Sequence, residues 1–158
     1  MKLSFYPSSV SEDILLCLGI TFLSACVGRD DFIPEAMAGI IRSGAMLLCI
    51  LCWLVTAFFN GLRMRRRFAA GMCLCLILPP VIQLGSVIRA FRFSEWGIAA
   101  DKLCQIVSRL PYSALEKVSG INGYFVSVTT AVMGLMLFGA GYFYTKNMLS
   151  NIERNDIL

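Results

Sequence analysis

The chain has 158 residues, of which 58% are hydrophobic and 15% charged, whereas soluble domains are about 45–50% apolar and about 25% charged. This composition excludes a soluble globular protein, and eleven Phe, five Tyr and two Trp exclude a disordered one. The sequence has no His, which excludes imidazole bases, His-ligated metals and Ser–His or Cys–His pairs. Its net charge of +4 comes from cations that flank apolar runs, so we expect a membrane protein that binds no nucleic acid.

Four apolar stretches predict an all-α membrane protein with four transmembrane helices in one polytopic domain over residues 1–158. At about 1.5 Å per residue, about twenty residues cover the hydrocarbon core of a bilayer. The first helix is predicted to begin after Ser9, because Ser9 and Glu12 have the spacing of a capping box. The four predicted spans are residues 10–28, 40–62, 68–88 and 121–145.

The link between the third and fourth spans, residues 94–118, predicts an external amphipathic helix lying on the membrane surface. Its apolar residues recur at helical spacing, and Pro111 ends the pattern. Ser113 and Glu116 have the spacing of a second capping box. The residues of the predicted apolar face are Leu103, Ile106, Val107 and Leu110.

Short loops indicate the orientation. The link between the second and third spans carries four arginines and no acid, which places it in the cytoplasm by the positive-inside rule. The link between the first two spans carries Asp30, Asp31 and Glu35 and is predicted to lie outside, where Arg42 pairs with these acids or extends to the headgroups. An even number of spans then puts both termini in the cytoplasm, and we expect a bacterial inner-membrane location. The topology determinants are Arg63, Arg65, Arg66 and Arg67.

Pro79 and Pro80 fall inside the third predicted span and predict a helix break. Two adjacent prolines remove two backbone donors, so the carbonyls they leave free need partners from water or from neighbouring helices. Gln83 lies one turn further on and is a candidate partner. A broken span beside a polar residue suits a transporter, but no acid accompanies it, so we interpret the break as a packing kink.

Small residues repeat along the fourth span at alternating four- and three-residue steps, continued by Thr145 and interrupted by the bulky Phe138. Small side chains let transmembrane helices approach closely, which favours helix association. Gly39 and Ser43 repeat the theme on the second span. The stripe faces either a helix of this chain or a partner, and the sequence leaves both open. The predicted helix-packing residues are Ser127, Ala131, Gly134 and Gly141.

Six of the seven cysteines lie in apolar stretches, where we expect them to pack as small hydrophobic residues. Cys49 and Cys52 nevertheless have the C-x-x-C spacing of redox proteins. With four spans and Cys104 in the external link, this pattern resembles the disulfide-generating quinone reductases of bacterial inner membranes. The resemblance implies thiol oxidation at the outer mouth of a four-helix bundle. Cys49 is instead predicted near mid-membrane, and those enzymes carry a second cysteine pair outside.

A second short motif, Leu23-Ser24-Ala25-Cys26, resembles the lipobox of bacterial lipoproteins, in which the cysteine is acylated. Glu12 and Asp13 stand where a signal peptide carries positive charge, so we interpret Cys26 as an ordinary residue of the first span.

The sequence therefore predicts no catalytic residue, no metal site and no cofactor. Small-residue stripes favour association, and the soluble parts are too short to fold alone. We expect a non-catalytic small subunit or assembly factor of a secretion or conjugation complex, with the lipid bilayer and other membrane proteins as partners. One alternative is an immunity protein against a pore-forming toxin, and another is a membrane thiol oxidoreductase that uses Cys49 and Cys52.

Overall fold

A computed structural model describes residues 9–28, 35–85 and 95–155, and every regular element in these ranges is helical, as predicted. In chain order the elements are α1 (Val10–Gly28), α2 (Glu35–Leu62), α3 (Arg66–Leu76), α4 (Leu78–Gly85), α5 (Glu95–Ser108), the 3₁₀ helix η1 (Leu110–Tyr112), α6 (Ser113–Ser119) and α7 (Gly123–Asn155).

Among the described elements, α1, α2 and α7 are each long and apolar enough to cross a membrane. The segments that meet this test are Val10–Val27, Met37–Leu62 and Gly123–Ile152. The predicted third span is not one continuous helix, because α3 ends at Leu76 and α4 begins at Leu78. Residues 86–88 of that span lie outside the described ranges.

The start of α1 confirms the predicted capping box. The backbone N–H of Ser9 donates to Glu12 Oε2 at 2.7 Å, and the N–H of Glu12 donates to Ser9 Oγ at 3.2 Å. Two N–H groups that the first turn of a helix leaves without partners are thereby satisfied.

The turn after α2 is a Schellman motif. Met64 takes the left-handed conformation, with φ of 55°, while its N–H donates to the Gly61 carbonyl and that of Arg65 to the Asn60 carbonyl. These two bonds satisfy the last carbonyls of α2 and reverse the chain within three residues. The turn brings the four arginines to one end of the bundle, which we call the arginine end.

The core lies where α2 packs against α1, α3 and α7. Its largest members are fully buried, and polar side chains lie among them. The main core residues are Cys17, Cys49, Trp53, Ala57, Phe68, Met72, Leu76, Tyr112 and Ala131. Large apolar side chains also cover the outside of the long helices, and this surface fits the acyl chains of a bilayer. Examples are Leu15, Leu23, Leu48, Leu51, Phe125 and Met136.

The segment after α4 differs from the predicted surface helix. It forms α5, η1 and α6, and its middle enters the bundle: Pro111 and Tyr112 are buried, and Ser24 Oγ donates to the Pro111 carbonyl at 3.1 Å. Of the predicted apolar face, Leu103 is 63% exposed and Ile106, Val107 and Leu110 are half-buried, whereas Cys104 on α5 is buried. Residue 94 lies outside the described ranges.

The second predicted capping box does not form. Tyr112 is the N-cap of α6 and makes no side-chain capping bond. Glu116 instead accepts two hydrogen bonds from Arg109, at 2.8 and 3.2 Å. The charged partner outcompetes the cap because a bidentate arginine–carboxylate pair is stronger than a bond to a neutral N–H.

Candidate functional site

The helix break in the third apolar stretch is closed by a side chain of α7. Pro80 has no N–H to give the carbonyl of Leu76, which therefore lacks its normal helical donor. Ser127 Oγ donates to that carbonyl at 2.9 Å, and Ser127 is fully buried. A carbonyl freed by proline is thus satisfied by a neighbouring helix. The side chain of Gln83, the partner considered from sequence, lies outside the described part of the chain.

The backbone interruption itself lies at Ile77, two residues before Pro79. The N–H of Ile77 still reaches the Cys73 carbonyl at 2.9 Å, and that of Val81 reaches the Ile77 carbonyl at 3.1 Å. Helical hydrogen bonds are therefore present on both sides of the two prolines.

The small-residue stripe of α7 packs against helices of the same chain. Ser127 and Ala131 are fully buried, and a Cβ on Gly134 would lie 2.8 Å from Met72 Sδ. A Cβ on Gly141 would lie 2.8 Å from the carbonyl oxygen of Phe58 and 2.9 Å from the backbone nitrogen of Leu62. The stripe is therefore an intramolecular interface.

The closest approach in this interface is between the backbones of α2 and α7. A Cβ on Gly61 would collide with the backbone of Phe138, opposite Gly141. Thr145 Oγ1 donates to the Leu62 carbonyl at 2.9 Å and marks the level at which α2 ends. Bulky Phe138 interrupts the small-residue pattern of α7, and Gly61 on α2 provides the space that its backbone needs.

A buried polar cluster lies between α1 and α2. Trp53 Nε1 donates to Thr21 Oγ1 at 3.0 Å, and Thr21 Oγ1 donates to the Cys17 carbonyl at 2.7 Å. The hydroxyl of Thr21 is also 3.5 Å from Cys49 Sγ. One threonine hydroxyl therefore joins three side chains or backbone groups in the core.

The two cysteines of the C-x-x-C motif have different neighbours. Cys52 Sγ lies 3.6 Å from Cys17 Sγ on α1, whereas Cys49 Sγ lies beside Thr21. All seven cysteines are free thiols. Cys26 is half-buried near the end of α1, which continues as a regular helix to Gly28.

The arginine end holds a second polar group that the sequence did not suggest. Asn60 is buried, and its Nδ2 donates to Asp13 Oδ2 at 2.9 Å and to the Thr56 carbonyl at 3.0 Å. Arg65 lies 3.6 Å from the same Asp13 oxygen. Asn60 could have been noticed in the sequence as a polar residue within an apolar run. Its partner Asp13 could not, because it is 47 residues away in the sequence.

The remaining arginines of the cluster differ in their surroundings. Arg66 donates to the hydroxyl of Tyr142 and lies 5.2 Å from the centre of its ring, so it joins α3 to α7. Arg67 is exposed, and Arg63 is half-buried. The cluster thus contributes contacts within the bundle as well as positive charge.

On the opposite end, Arg109 and Glu116 hold η1 between α5 and α6. The bidentate hydrogen bond from Arg109 lowers the pKa of the Glu116 carboxyl below its ordinary value. Burial raises the pKa of the Cys104 thiol on α5, which favours its protonated form.

Within residues 9–28, 35–85 and 95–155, no group of three or more His, Cys, Asp or Glu side chains is placed to hold a metal ion. Two buried hydroxyls in this part of the chain, those of Tyr112 and Tyr124, make no hydrogen bond, and neither does Asn60 Oδ1.

Comparisons with protein-family models, with curated proteins and with solved structures find no match to the chain.

Proposed function

We propose that the protein is a non-catalytic small subunit or assembly factor of a larger bacterial inner-membrane complex, of the secretion or conjugation type. The proposal includes four crossings, with α3 and α4 together forming the third. Residues 66–85 number twenty, which at about 1.5 Å per residue matches the roughly 30 Å hydrocarbon core. With the arginine end in the cytoplasm, both termini are cytoplasmic.

The projecting end of α7 is the observation that supports a partner-binding role. The helix has 33 residues and is about 50 Å long, well beyond the thickness of the core. Because Thr145 is level with the end of α2, residues 146–155 extend past that helix. We call these ten residues the α7 extension.

The α7 extension is amphipathic in register with the packed stripe. Counted from Thr145, its apolar residues fall at i+3, i+4 and i+7, so the face that packs on α2 continues beyond it. These apolar side chains are about half exposed, and the other faces carry polar residues. The exposed apolar residues are Met148, Leu149 and Ile152, and the polar ones include Lys146, Asn147, Ser150 and Asn151. The proposed occupant of this face is a helix of a second membrane protein.

A photo-crosslinking amino acid placed along the α7 extension in living cells tests the proposal. Positions Met148 and Ile152 should give an adduct with a protein of discrete mass, whereas Asn147 and Asn151, exposed on the other side, are matched controls that should not. Protein adducts of equal yield on both sides, or lipid adducts alone at Met148 and Ile152, would contradict partner binding at this face.

Thiol chemistry is a second candidate function, supported by the 3.6 Å separation of the Cys17 and Cys52 sulfurs. Cys17 is fully buried in the core, which excludes a protein substrate from its sulfur. Burial among apolar residues also disfavours the reactive thiolate. The non-catalytic proposal is therefore the better supported of the two.

A further inference from the structure

A seam of polar and sulfur-bearing side chains runs between α1 and α2, from the arginine end toward the middle of the bundle. These side chains recur at every fourth position on α1 and every three or four positions on α2, so they share one face of each helix. The paired side chains approach to between 2.9 and 3.6 Å. In order from the arginine end, the pairs are Asp13 with Asn60, Cys17 with Cys52, and Thr21 with Cys49.

Cys17 and Cys52 form the thiol pair of this seam. Their sulfurs are 3.6 Å apart and come from two different helices, whereas the two cysteines of the C-x-x-C motif lie on one. Cys17 is fully buried and Cys52 is half-buried, so one sulfur lies deep in the interface and the other at its edge. The hydroxyl of Thr56, one turn further along α2, interacts with both sulfurs.

The spacing of the two sulfurs suits one metal ion between them. A metal–sulfur bond is about 2.3 Å long, so an ion in a straight line between two sulfurs holds them about 4.6 Å apart. From the observed 3.6 Å the sulfurs need to separate by about 1 Å, a movement open to Cys52 because its side chain is not fully enclosed. A single ion therefore fits at a depth that a protein substrate does not reach.

The donor set selects the kind of ion. Thiolates favour soft ions such as Cu(I). Cu(I) forms stable complexes with two thiolates alone, whereas structural Zn²⁺ sites are four-coordinate. Within the described residues, no third Cys, His, Asp or Glu side chain is placed to complete such a zinc site around the pair. Two thiols without further ligands thus match Cu(I) and not Zn²⁺.

We propose that Cys17 and Cys52 bind one Cu(I) ion between α1 and α2 as a two-coordinate bis-thiolate. On binding, two S–H bonds break, two S–Cu bonds form and two protons leave, with no change of oxidation state. Burial disfavours free thiolates at this depth, but here the ion takes the place of both protons. The complex keeps one negative charge, and the hydroxyl of Thr56 is the hydrogen-bond donor beside it. This metal-binding activity is independent of the α7 extension.

Anaerobic titration of the full-length protein in mild detergent with Cu(I), against a coloured Cu(I) chelator as competitor, tests the proposal. Wild type should bind one Cu(I) tightly. Cys17→Ala or Cys52→Ala should weaken that binding by at least about 100-fold, because losing a group that only supports a ligand already costs about 10–100-fold. Cys26→Ala, on the same helix as Cys17, is the matched control and should leave the affinity unchanged.

Two further variants separate this site from its neighbours. Cys49→Ala should leave Cu(I) affinity near that of wild type, whereas a site made by the C-x-x-C motif would be lost. Thr56→Val should weaken binding by about tenfold and leave the stoichiometry unchanged, because the ligands remain and only the hydroxyl beside them is removed. X-ray absorption at the copper edge should show two sulfur ligands.

Thermal unfolding followed by circular dichroism identifies the variants that retain the bundle. If Cys17→Ala unfolds, Cys52→Ala at the edge of the interface carries the test. The absence of a tight Cu(I) site, wild-type affinity in Cys52→Ala, or loss of binding in folded Cys49→Ala would each overturn the proposal. So would three or four copper ligands, or Zn²⁺ binding as tight as that of Cu(I).

Discussion

At the residue scale, a serine hydroxyl replaces a backbone donor that proline removes. The carbonyl of Leu76 is buried beside Pro80, and an unsatisfied carbonyl there would cost about 1–3 kcal/mol. Ser127 supplies the bond from α7 and so ties the broken third segment to the fourth. The same residue serves in the small-residue interface because its side chain is both short and polar.

Ser127→Ala should therefore lower the stability of the protein in detergent by about 1–3 kcal/mol. The loss should shrink below about 1 kcal/mol in a Pro80→Ala background, where residue 80 regains the N–H that Leu76 needs. Thermal unfolding of the four proteins of this double-mutant cycle measures the coupling. Ser150→Ala, which removes an exposed hydroxyl bonded to the Asn147 carbonyl, is the control and should have little effect. Additive losses would show that Ser127 does not act through the Leu76 carbonyl.

Cys49→Ala together with Cys52→Ala tests the thiol candidate. We expect normal protein levels, unchanged crosslinking of the α7 extension, and a loss of stability of about 1–2 kcal/mol from the small cavities left behind. Immunoblotting and the crosslinking assay measure the outcome. Loss of crosslinking at normal protein levels would instead favour thiol chemistry over packing.

At the element scale, glycines set how closely α2 and α7 pack. Gly141→Ala should destabilise the bundle by about 1–3 kcal/mol, because its Cβ would meet the backbone of Phe58 and Leu62, which cannot move aside as a flexible side chain can. Gly139→Ala on the same helix is the matched control: its Cβ would meet no atom within 4 Å, so only the helix propensity of alanine should act. Thermal unfolding in detergent distinguishes them, and equal effects would mean that the α2–α7 contact is looser than described.

The ion pair that holds η1 should make a small, pH-dependent contribution. Arg109 lowers the pKa of Glu116 in the folded state, so the stabilisation is present above the ordinary pKa of glutamate and is lost as pH falls through the lowered value. Both side chains are partly exposed, which limits the contribution to about 0.2–1 kcal/mol. Glu116→Gln should therefore be slightly less stable than wild type at pH 7 and equal to it in acid. A difference that grew in acid would reverse the sign of the linkage.

Local signals predicted the elements better than they predicted their contacts. The capping box at Ser9 and Glu12 involves residues three apart, and the structure contains both of its bonds. The pair at Ser113 and Glu116 has the same spacing, but Arg109 competes for the carboxylate and the cap is lost. Short-range patterns succeed where no stronger partner competes for the same side chain.

Contacts between distant parts of the chain carry the rest of the structure. Ser127 and Leu76 are 51 residues apart, and Ser24 and Pro111 are 87 apart. Pro111 is predicted to end a helix, and α5 ends before it, at Ser108. The burial of the following Tyr112 depends instead on space between α1, α2 and α7, which distant segments provide. The same reason explains why the neighbours of Cys52 were not predictable from its own helix.

At the scale of the whole molecule, the account depends on four crossings. Neither α3 nor α4 alone is long enough to cross the bilayer, but residues 66–85 together are. Ser127 joins this broken pair to α7. With the arginine end in the cytoplasm, the α7 extension is cytoplasmic only if this broken pair spans the bilayer. The alternative is three crossings, by α1, α2 and α7 alone.

A reporter that is active only in the cytoplasm, inserted near Asp101 or fused after Leu158, tests this claim most directly, with insertion near Arg65 as the cytoplasmic reference. Four crossings predict activity at Arg65 and Leu158 and silence at Asp101. If α3 and α4 do not cross, Asp101 stays on the side of Arg65 while the carboxyl terminus moves to the other side. Activity at Asp101 with silence at Leu158 would therefore contradict the four-span bundle.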